Sequence, residues 1–334
     1  MRLPPALLAT LLSGLVACSS SSATRPEGPG DESPGPATAG EPPVPERAAC
    51  SGLTVGPGTH DWTVRHAGRE RQYRVHVPPG YDATRPTPVV LAFHGFGSTG
   101  RQLESRIQLS ALADTEGFLA VYPQGLGARQ LSGESAKEGG YGWNAGACCG
   151  LPQVSGVDDV GFVDALLADL DTRVCVDPRR TFATGFSNGG FFAYRLACER
   201  AGRFAAIVPV AGMEGVSPCA PSRPVPVLHF HGTADPVILY GGGENIPFGH
   251  PYPSAEESVL RFARRAGCTA TRETWRQGGS ACVEHTGCTP EGATATLCSA
   301  EGAGHVWPEA STPSNTGLDA TREAWRFFQA HPRP

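Results

Sequence analysis

Thr184-Gly185-Phe186-Ser187-Asn188-Gly189-Gly190 lies between two segments of different periodicity. Before it, Arg180-Thr181-Phe182-Ala183-Thr184 is β-branched and aromatic and predicts a buried strand. After it, Phe191 to Arg200 carries apolar residues at three- and four-residue spacing and predicts a helix. A Gly-x-Ser-x-Gly box between a strand and a helix makes a turn so tight that the serine is strained and its hydroxyl projects from the sheet. Glycines flank the serine because a Cβ at either position would collide with the neighbouring strand and helix. Such a box also arises by chance in a chain with 43 glycines, so the flanking chain must support it.

Outward from the box, the chain alternates strands and helices. Asp61–Arg65 and Gln72–Val77 alternate around His66-Ala67-Gly68-Arg69 and predict a β-hairpin. Val89–Phe93 is a continuous apolar run, as in a strand buried on both faces, and it empties into His94-Gly95-Phe96-Gly97-Ser98. Gln102 to Glu116 reads as one helix ended by Gly117, and Phe118–Tyr122 as the next strand. Leu126 to Gly156 is a long Gly- and Ser-rich loop holding Tyr141-Gly142-Trp143-Asn144 and Cys148-Cys149. A loop of that length is functional or braced, and Gly127–Gly156 is expected to cover part of a cleft. Val157–Asp171 follows as a helix, in which Asp158 and Asp159 are expected to cap the first turn, ahead of the alternatives of binding a cation or orienting the loop. Beyond the box, Phe204–Val210, Val225–His231, Thr271–Trp275, Ala281–His285 and Ala293–Ser299 read as strands. Ser254–Ala266 and Leu318–Gln329 read as helices. The pattern predicts an α/β fold with a doubly wound, mostly parallel sheet and a single catalytic domain over residues 50–332.

A serine hydroxyl needs a base to become a nucleophile. In the order Ser, acid, His, Asp235 is the one aspartate between Ser187 and the C-terminal histidines, and it follows the strand ending at His231. His305 lies in a loop after the last strand, where the base belongs; His250 is second, while His285 sits in a strand and His331 beyond a helix. The oxyanion of a tetrahedral intermediate needs backbone donors, expected from the amides of Asn188 and Phe96. His94, Trp143 and Trp307 are the candidates for binding substrate, although tryptophan serves equally well as a loop anchor.

His94-Gly95-Phe96, Trp143-Asn144 with Cys148-Cys149-Gly150, Val157-Asp158-Asp159-Val160, the serine box, His231-Gly232-Thr233-Ala234-Asp235 and Gly304-His305-Val306-Trp307-Pro308 together resemble the polyhydroxybutyrate-depolymerase/feruloyl-esterase group. The resemblance runs from about Cys50 to Gln329. It implies an α/β-hydrolase with Ser187, Asp235 and His305 as triad, and neither metal nor cofactor. Its members act on hydroxycinnamoyl esters of cell-wall sugars, on acetylated xylan or on poly(3-hydroxybutyrate). Two rivals of other classes remain at this point. One is a zinc metallohydrolase built on His229, His231, Asp235 and His305, and the other a non-catalytic binding lipoprotein on a hydrolase fold.

The net charge of -5 and pI of about 6.1 give no footprint for nucleic acid. Met1-Arg2, an apolar run and Leu15-Val16-Ala17-Cys18 read as a signal peptide over 1–17, and the last four residues resemble a lipobox. The resemblance implies cleavage before Cys18 and lipidation of its thiol, and the Ser, Pro, Gly, Ala and Glu composition of residues 18–49 predicts a disordered Ser/Pro/Gly tether. The expected location is therefore exported and lipid-anchored at the cell surface or outer membrane, or secreted if the lipobox is unused. That lipid is the only membrane contact expected of what is otherwise a monomer. The ten remaining cysteines predict disulfides. A turn at Thr289–Gly292 places Cys282 opposite Cys298 and brings Cys268 to Cys288, and Cys198 and Cys219 flank one strand. Cys148–Cys149 is the vicinal pair, leaving Cys50–Cys175; the alternative joins Cys50 or Cys175 to one of the adjacent cysteines. With no second module to hold it on a solid, the enzyme is expected to prefer small soluble esters to polymer.

Overall fold

The computed structural model describes residues 50–133, 139–244, 249–290, 292–309 and 316–334. The leader, Cys18 and the tether lie outside these residues. No helix among the described residues is long and apolar enough to cross a membrane.

Among the described residues, ten strands form one sheet: β1 (Gly58–His66), β2 (Arg69–Val77), β3 (Thr87–Phe93), β4 (Leu119–Pro123), β5 (Val176–Phe186), β6 (Ile207–Val210), β7 (Val227–Gly232), β8 (Ala270–Gln277), β9 (Ser280–Thr286) and β10 (Ala295–Ala300). Their spatial order is β1-β2-β4-β3-β5-β6-β7-β10-β9-β8. The central run from β4 to β10 is parallel, and the strands outside it pair antiparallel. Position explains composition. Every residue of β3, β4, β6 and β7 is buried, so these strands are mostly apolar, Thr87, His229 and His231 being the polar exceptions, whereas edge strand β8 is almost wholly exposed and polar. The β1–β2 hairpin turns through Ala67 (φ 47°) and Gly68 (φ 75°), the pair of left-handed residues that suits the twist of the strands.

Helices cover both faces of the sheet. Helices α5 (Asp159–Asp171), α6 (Asn188–Glu199) and α7 (Ala255–Arg265) pack one apolar layer, with Leu166, Phe192 and Phe262 in it. The opposite layer takes α1 (Gly100–Ile107), α2 (Leu109–Glu116) and α8 (Ala320–Ala330), with Leu103, Ala113 and Phe328. Short α3 (Ala128–Ser132) and α4 (Gly150–Val154) lie within the long loop.

The single helix expected over Gln102–Glu116 is two. Gln108 takes φ 54° and ends one helix while starting the next. Ile107 and Leu109 are both buried. In a continuous helix two residues so spaced would point about 200° apart, so the break lets both face the sheet.

Disulfides join Cys50–Cys175, Cys148–Cys149, Cys198–Cys219, Cys268–Cys288 and Cys282–Cys298. Cys282 and Cys298 are direct partners in the β9–β10 ladder.

Candidate active site

Strand β5 runs straight into α6 with Ser187 at the corner, its φ at 55°. That conformation is costly for a residue with a side chain, and close packing holds it there. The Ser187 amide donates to the Val210 carbonyl (2.9 Å), and the amides of Gly190 and Phe191 return to the Ser187 carbonyl. A Cβ on Gly185 would stand 2.3 Å from the Gly189 oxygen, and one on Gly189 would stand 2.0 Å from the Phe93 oxygen. Both positions must therefore be glycine.

Asp235 sits in the loop after β7 and is 3% exposed. One oxygen, Oδ1, accepts the amides of Val237 (2.8 Å) and Ile238 (2.9 Å). The other, Oδ2, lies 2.7 Å from Nδ1 of His305. Burial pushes this carboxyl up, but hydrogen bonds from His231, His305 and the Val237 amide outweigh it and hold the group well below the usual carboxylate range. It is therefore an anion facing the imidazole.

Ser187 and His305 line the same cleft of about 900 Å³. Its walls are apolar: Phe96, Leu103, Leu151, Val154, Val237 and Ile238. Arg106 also reaches it, with its guanidinium 4.9 Å from the centre of the Phe186 ring. Within the long loop, Cys149 and α4 supply one wall, so part of the 127–156 segment borders the cleft. Phe96 lines the cleft beside Ser187, and Asn188 follows Ser187 at the start of α6. Gly95 is pressed within 3.3 Å of the Ser187 Cβ, counted from where its own Cβ would stand.

Three expected substrate contacts are misplaced. Trp143 is fully buried; its indole stacks on Phe192 and its Nε1 donates to the His94 carbonyl (2.9 Å). Trp307 is buried as well and donates from Nε1 to Thr321 Oγ1 (3.0 Å). His94 is buried in a fixed tautomer, Nδ1–H donating to the Gly95 carbonyl and Nε2 accepting the Gly125 amide (3.0 Å). Burial pushes its pKa down to about 4, only partly opposed by the bond to Gly95. None of the three lines the cleft; each is a core anchor for the loops that do. The Asn188 side chain clamps the Trp143 backbone, accepting its amide (2.7 Å) and donating to its carbonyl (3.0 Å).

The two neighbouring aspartates divide their roles. Asp158 caps α5 by accepting the Gly161 amide (2.9 Å), as its position suggests. Asp159 does not cap. It is fully buried, pairs with Arg71 (2.7 Å) and accepts the Asn144 amide (2.8 Å), so it pins the long loop. Arg71 in turn lies 3.9 Å over the Phe162 ring. His250 is exposed, away from the cleft, with its amide on the Ala147 carbonyl. The zinc-type set His229, His231, Asp235 and His305 lies in a line of pairwise contacts rather than around one point. His231 has both ring nitrogens engaged, by His229 and by the Ile238 carbonyl. The group of metal-capable atoms that does cluster among the described residues, Cys198, Glu214 and Cys219, has both sulfurs in a disulfide.

Sequence reading missed Arg106, Val237, Ile238 and Leu151 as cleft residues. Val237 and Ile238 were signalled by their place next to Asp235; the others come from helices whose facing no local pattern discloses.

The sequence pattern of the esterase family matches residues 65–300. Feruloyl esterase B of Piromyces equi is 30% identical over 244 residues, 71% of this chain. The chain spans 42% of the length of that relative. Feruloyl esterase D of Neurospora crassa is 28% identical over 302 residues, covering 86% of this chain and 92% of its own. Among solved structures, the acetyl xylan esterase from Aspergillus awamori superposes with a TM-score of 0.56 at 14% identity, over 81% of this chain and 99% of its own; that likeness concerns the fold. With more than half of its length matched by one family, the chain belongs to the esterase family, and its fold is that of the α/β-hydrolases.

Proposed function

We propose that the protein is a serine esterase working through an acyl-enzyme, with Ser187 as nucleophile, His305 as base and Asp235 as the carboxylate that orients the base. One observation carries this reading: three distant segments meet at one cleft, with strained Ser187 and His305 both lining it and Asp235 Oδ2 2.7 Å from His305 Nδ1. With Nδ1–H committed to Asp235, Nε2 is the nitrogen that takes the Ser187 proton. The serine oxygen adds to the ester carbonyl, and the oxyanion is met by the amides of Phe96 and Asn188, the latter at the start of α6. His305 then gives the proton to the leaving alcohol. Water, deprotonated by the same nitrogen, repeats the addition and frees the acid and Ser187.

The proposed substrates are feruloyl- or acetyl-type esters of polysaccharide fragments and small aryl esters. The apolar cleft walls support an aromatic acyl group, and the names of the relatives point the same way. A second reading, poly(3-hydroxybutyrate) depolymerase, is favoured by a separate observation. Phe96, Leu151, Val154 and Val237 are large apolar side chains exposed at the cleft, and such a patch suits contact with an apolar solid. Export and lipid attachment at Cys18 complete the proposal; loss of fatty-acid labelling in Cys18→Ser checks the anchor.

A serine-directed phosphonate should abolish hydrolysis and a chelator should leave it intact. Ser187→Ala should remove nearly all activity with the fold retained. Asp235→Asn should cost about four decades in kcat by mis-setting the His305 tautomer. An active Ser187→Ala protein would overturn the mechanism. Parallel assays on methyl ferulate, acetylated xylan and a polyester film decide the substrate.

A further inference from the structure

Strand β7 carries two buried histidines that the proposed chemistry leaves unused. His229 and His231 project from the same face of the strand and are 0% and 1% exposed. Nε2 of His231 lies 2.8 Å from the Ile238 carbonyl and 3.4 Å from Asp235 Oδ2. Both oxygens are acceptors, so this nitrogen carries hydrogen. In the neutral ring Nδ1 of His231 must then accept, and Nε2 of His229, 3.1 Å away, donates to it. That leaves Nδ1 of His229 as an acceptor for the Tyr194 hydroxyl at 2.8 Å. The two acceptor oxygens at the His231 end fix the direction of every donor along the file, down to the phenol at the other end. Tyr194 belongs to α6, the helix that begins immediately after Ser187. A single file of hydrogen bonds thus links the helix of the nucleophile to the loop of the acid.

We infer that Tyr194, His229 and His231 are positioning residues for ester hydrolysis, holding an N–H of fixed direction against the Asp235 loop. The inference rests on Asp235 being the acid of the triad. Other polar groups facing the file are Tyr240, whose ring is 5.9 Å from His231, and Glu214, near Tyr194 and itself paired with Arg265. Burial, reinforced by His231, keeps His229 neutral far below the usual histidine range, as the file requires. Without the tyrosine hydroxyl, Nδ1 of His229 is a buried acceptor with no donor, and its ring is no longer held in place. A turned His229 ring withdraws its N–H from Nδ1 of His231, so that His231 is no longer aimed at the Asp235 loop. The loop would shift and the carboxylate would lose a donor.

The experiment has two arms on the full-length protein. In ¹⁵N NMR of the histidine rings, His229 and His231 should both be neutral Nε2–H tautomers. A doubly protonated His231, or one carrying its hydrogen on Nδ1, overturns the inference whatever the variants do. In kinetics, Tyr194→Phe should lower kcat about fivefold with KM within about twofold, and should move the acid limb of kcat/KM to higher pH. The limb moves because a carboxylate short of one donor holds the His305 proton more tightly. Tyr122→Phe, which loses an equally buried hydroxyl bonded to Ser110, should lose stability but keep the limb in place. If Tyr194→Phe keeps both kcat and limb while Ser187→Ala is dead, the positioning role falls and the triad stands. If Ser187→Ala stays active, the triad falls instead, and the positioning role assigned to the file falls with it.

Discussion

His94 shows what a single residue contributes when its chemistry is withheld. Its folded-state pKa of about 4 lies below the ordinary 6.5, so as pH falls the unfolded chain takes up the proton first. The stabilisation is complete above pH 6.5 and drains away toward pH 4. Urea unfolding of the wild type should therefore lose about 2–3 kcal/mol from this group between pH 7.5 and 4.5. His94→Gln should be weaker at neutral pH and show a flatter acid slope. An unchanged slope would mean that His94 is not the buried neutral ring described here. Such roles are hard to read from sequence. Ser187, Asp235 and His305 stand out because order and loop position restrict them. Trp143, Trp307 and His94 carry equally loud side chains, yet whether an aromatic faces a cleft or a core depends on strands and helices far away in the chain.

Among elements, the long loop owes its place to a buried pair. Asp159 on α5 and Arg71 on β2 are joined across the fold, and Asp159 also takes the Asn144 amide. Asp159→Ala strands the guanidinium in the core and should cost about 3–5 kcal/mol. Replacing both together, Arg71→Met with Asp159→Leu, should recover most of that stability. It should not recover kcat/KM, because the loop next to Trp143 and Asn188 loses its anchor. Equal recovery of stability and activity would show that the pair does not position the loop. The strands themselves were legible, since apolar runs and alternation follow directly from burial on two faces or one. The break at Gln108 was written in the Ile107–Leu109 spacing, but a good helical composition on either side conceals it. The Arg71–Asp159 pairing joins residues 88 apart in sequence, and no local pattern announces it.

Across the whole molecule, Cys50–Cys175 closes a separation of 125 residues and ties the first described residue to the start of β5. Long closures restrict the unfolded chain most, so Cys50→Ser with Cys175→Ser should lower stability by about 2–5 kcal/mol while leaving hydrolysis intact. Calorimetry of the double variant tests the first part and an ester assay the second. An unchanged melting temperature would show that this end of the chain is held without the bridge. The doubly wound architecture followed from strand–helix alternation alone. The antiparallel extensions at both edges followed from hairpin spacing, in which Cys282 and Cys298 share a rung.

Val237 and Ile238 give their amides to Asp235 Oδ1 and their side chains to the cleft wall. Backbone and side chain are thus separate inheritances at these two positions. Any residue except proline keeps the carboxylate where it is, so selection can reshape the wall without disturbing the acid. A library confined to positions 237 and 238 should yield variants that differ widely in preferred acyl group and little in the pH profile of turnover. Here diversification of substrate carries a small mechanistic risk.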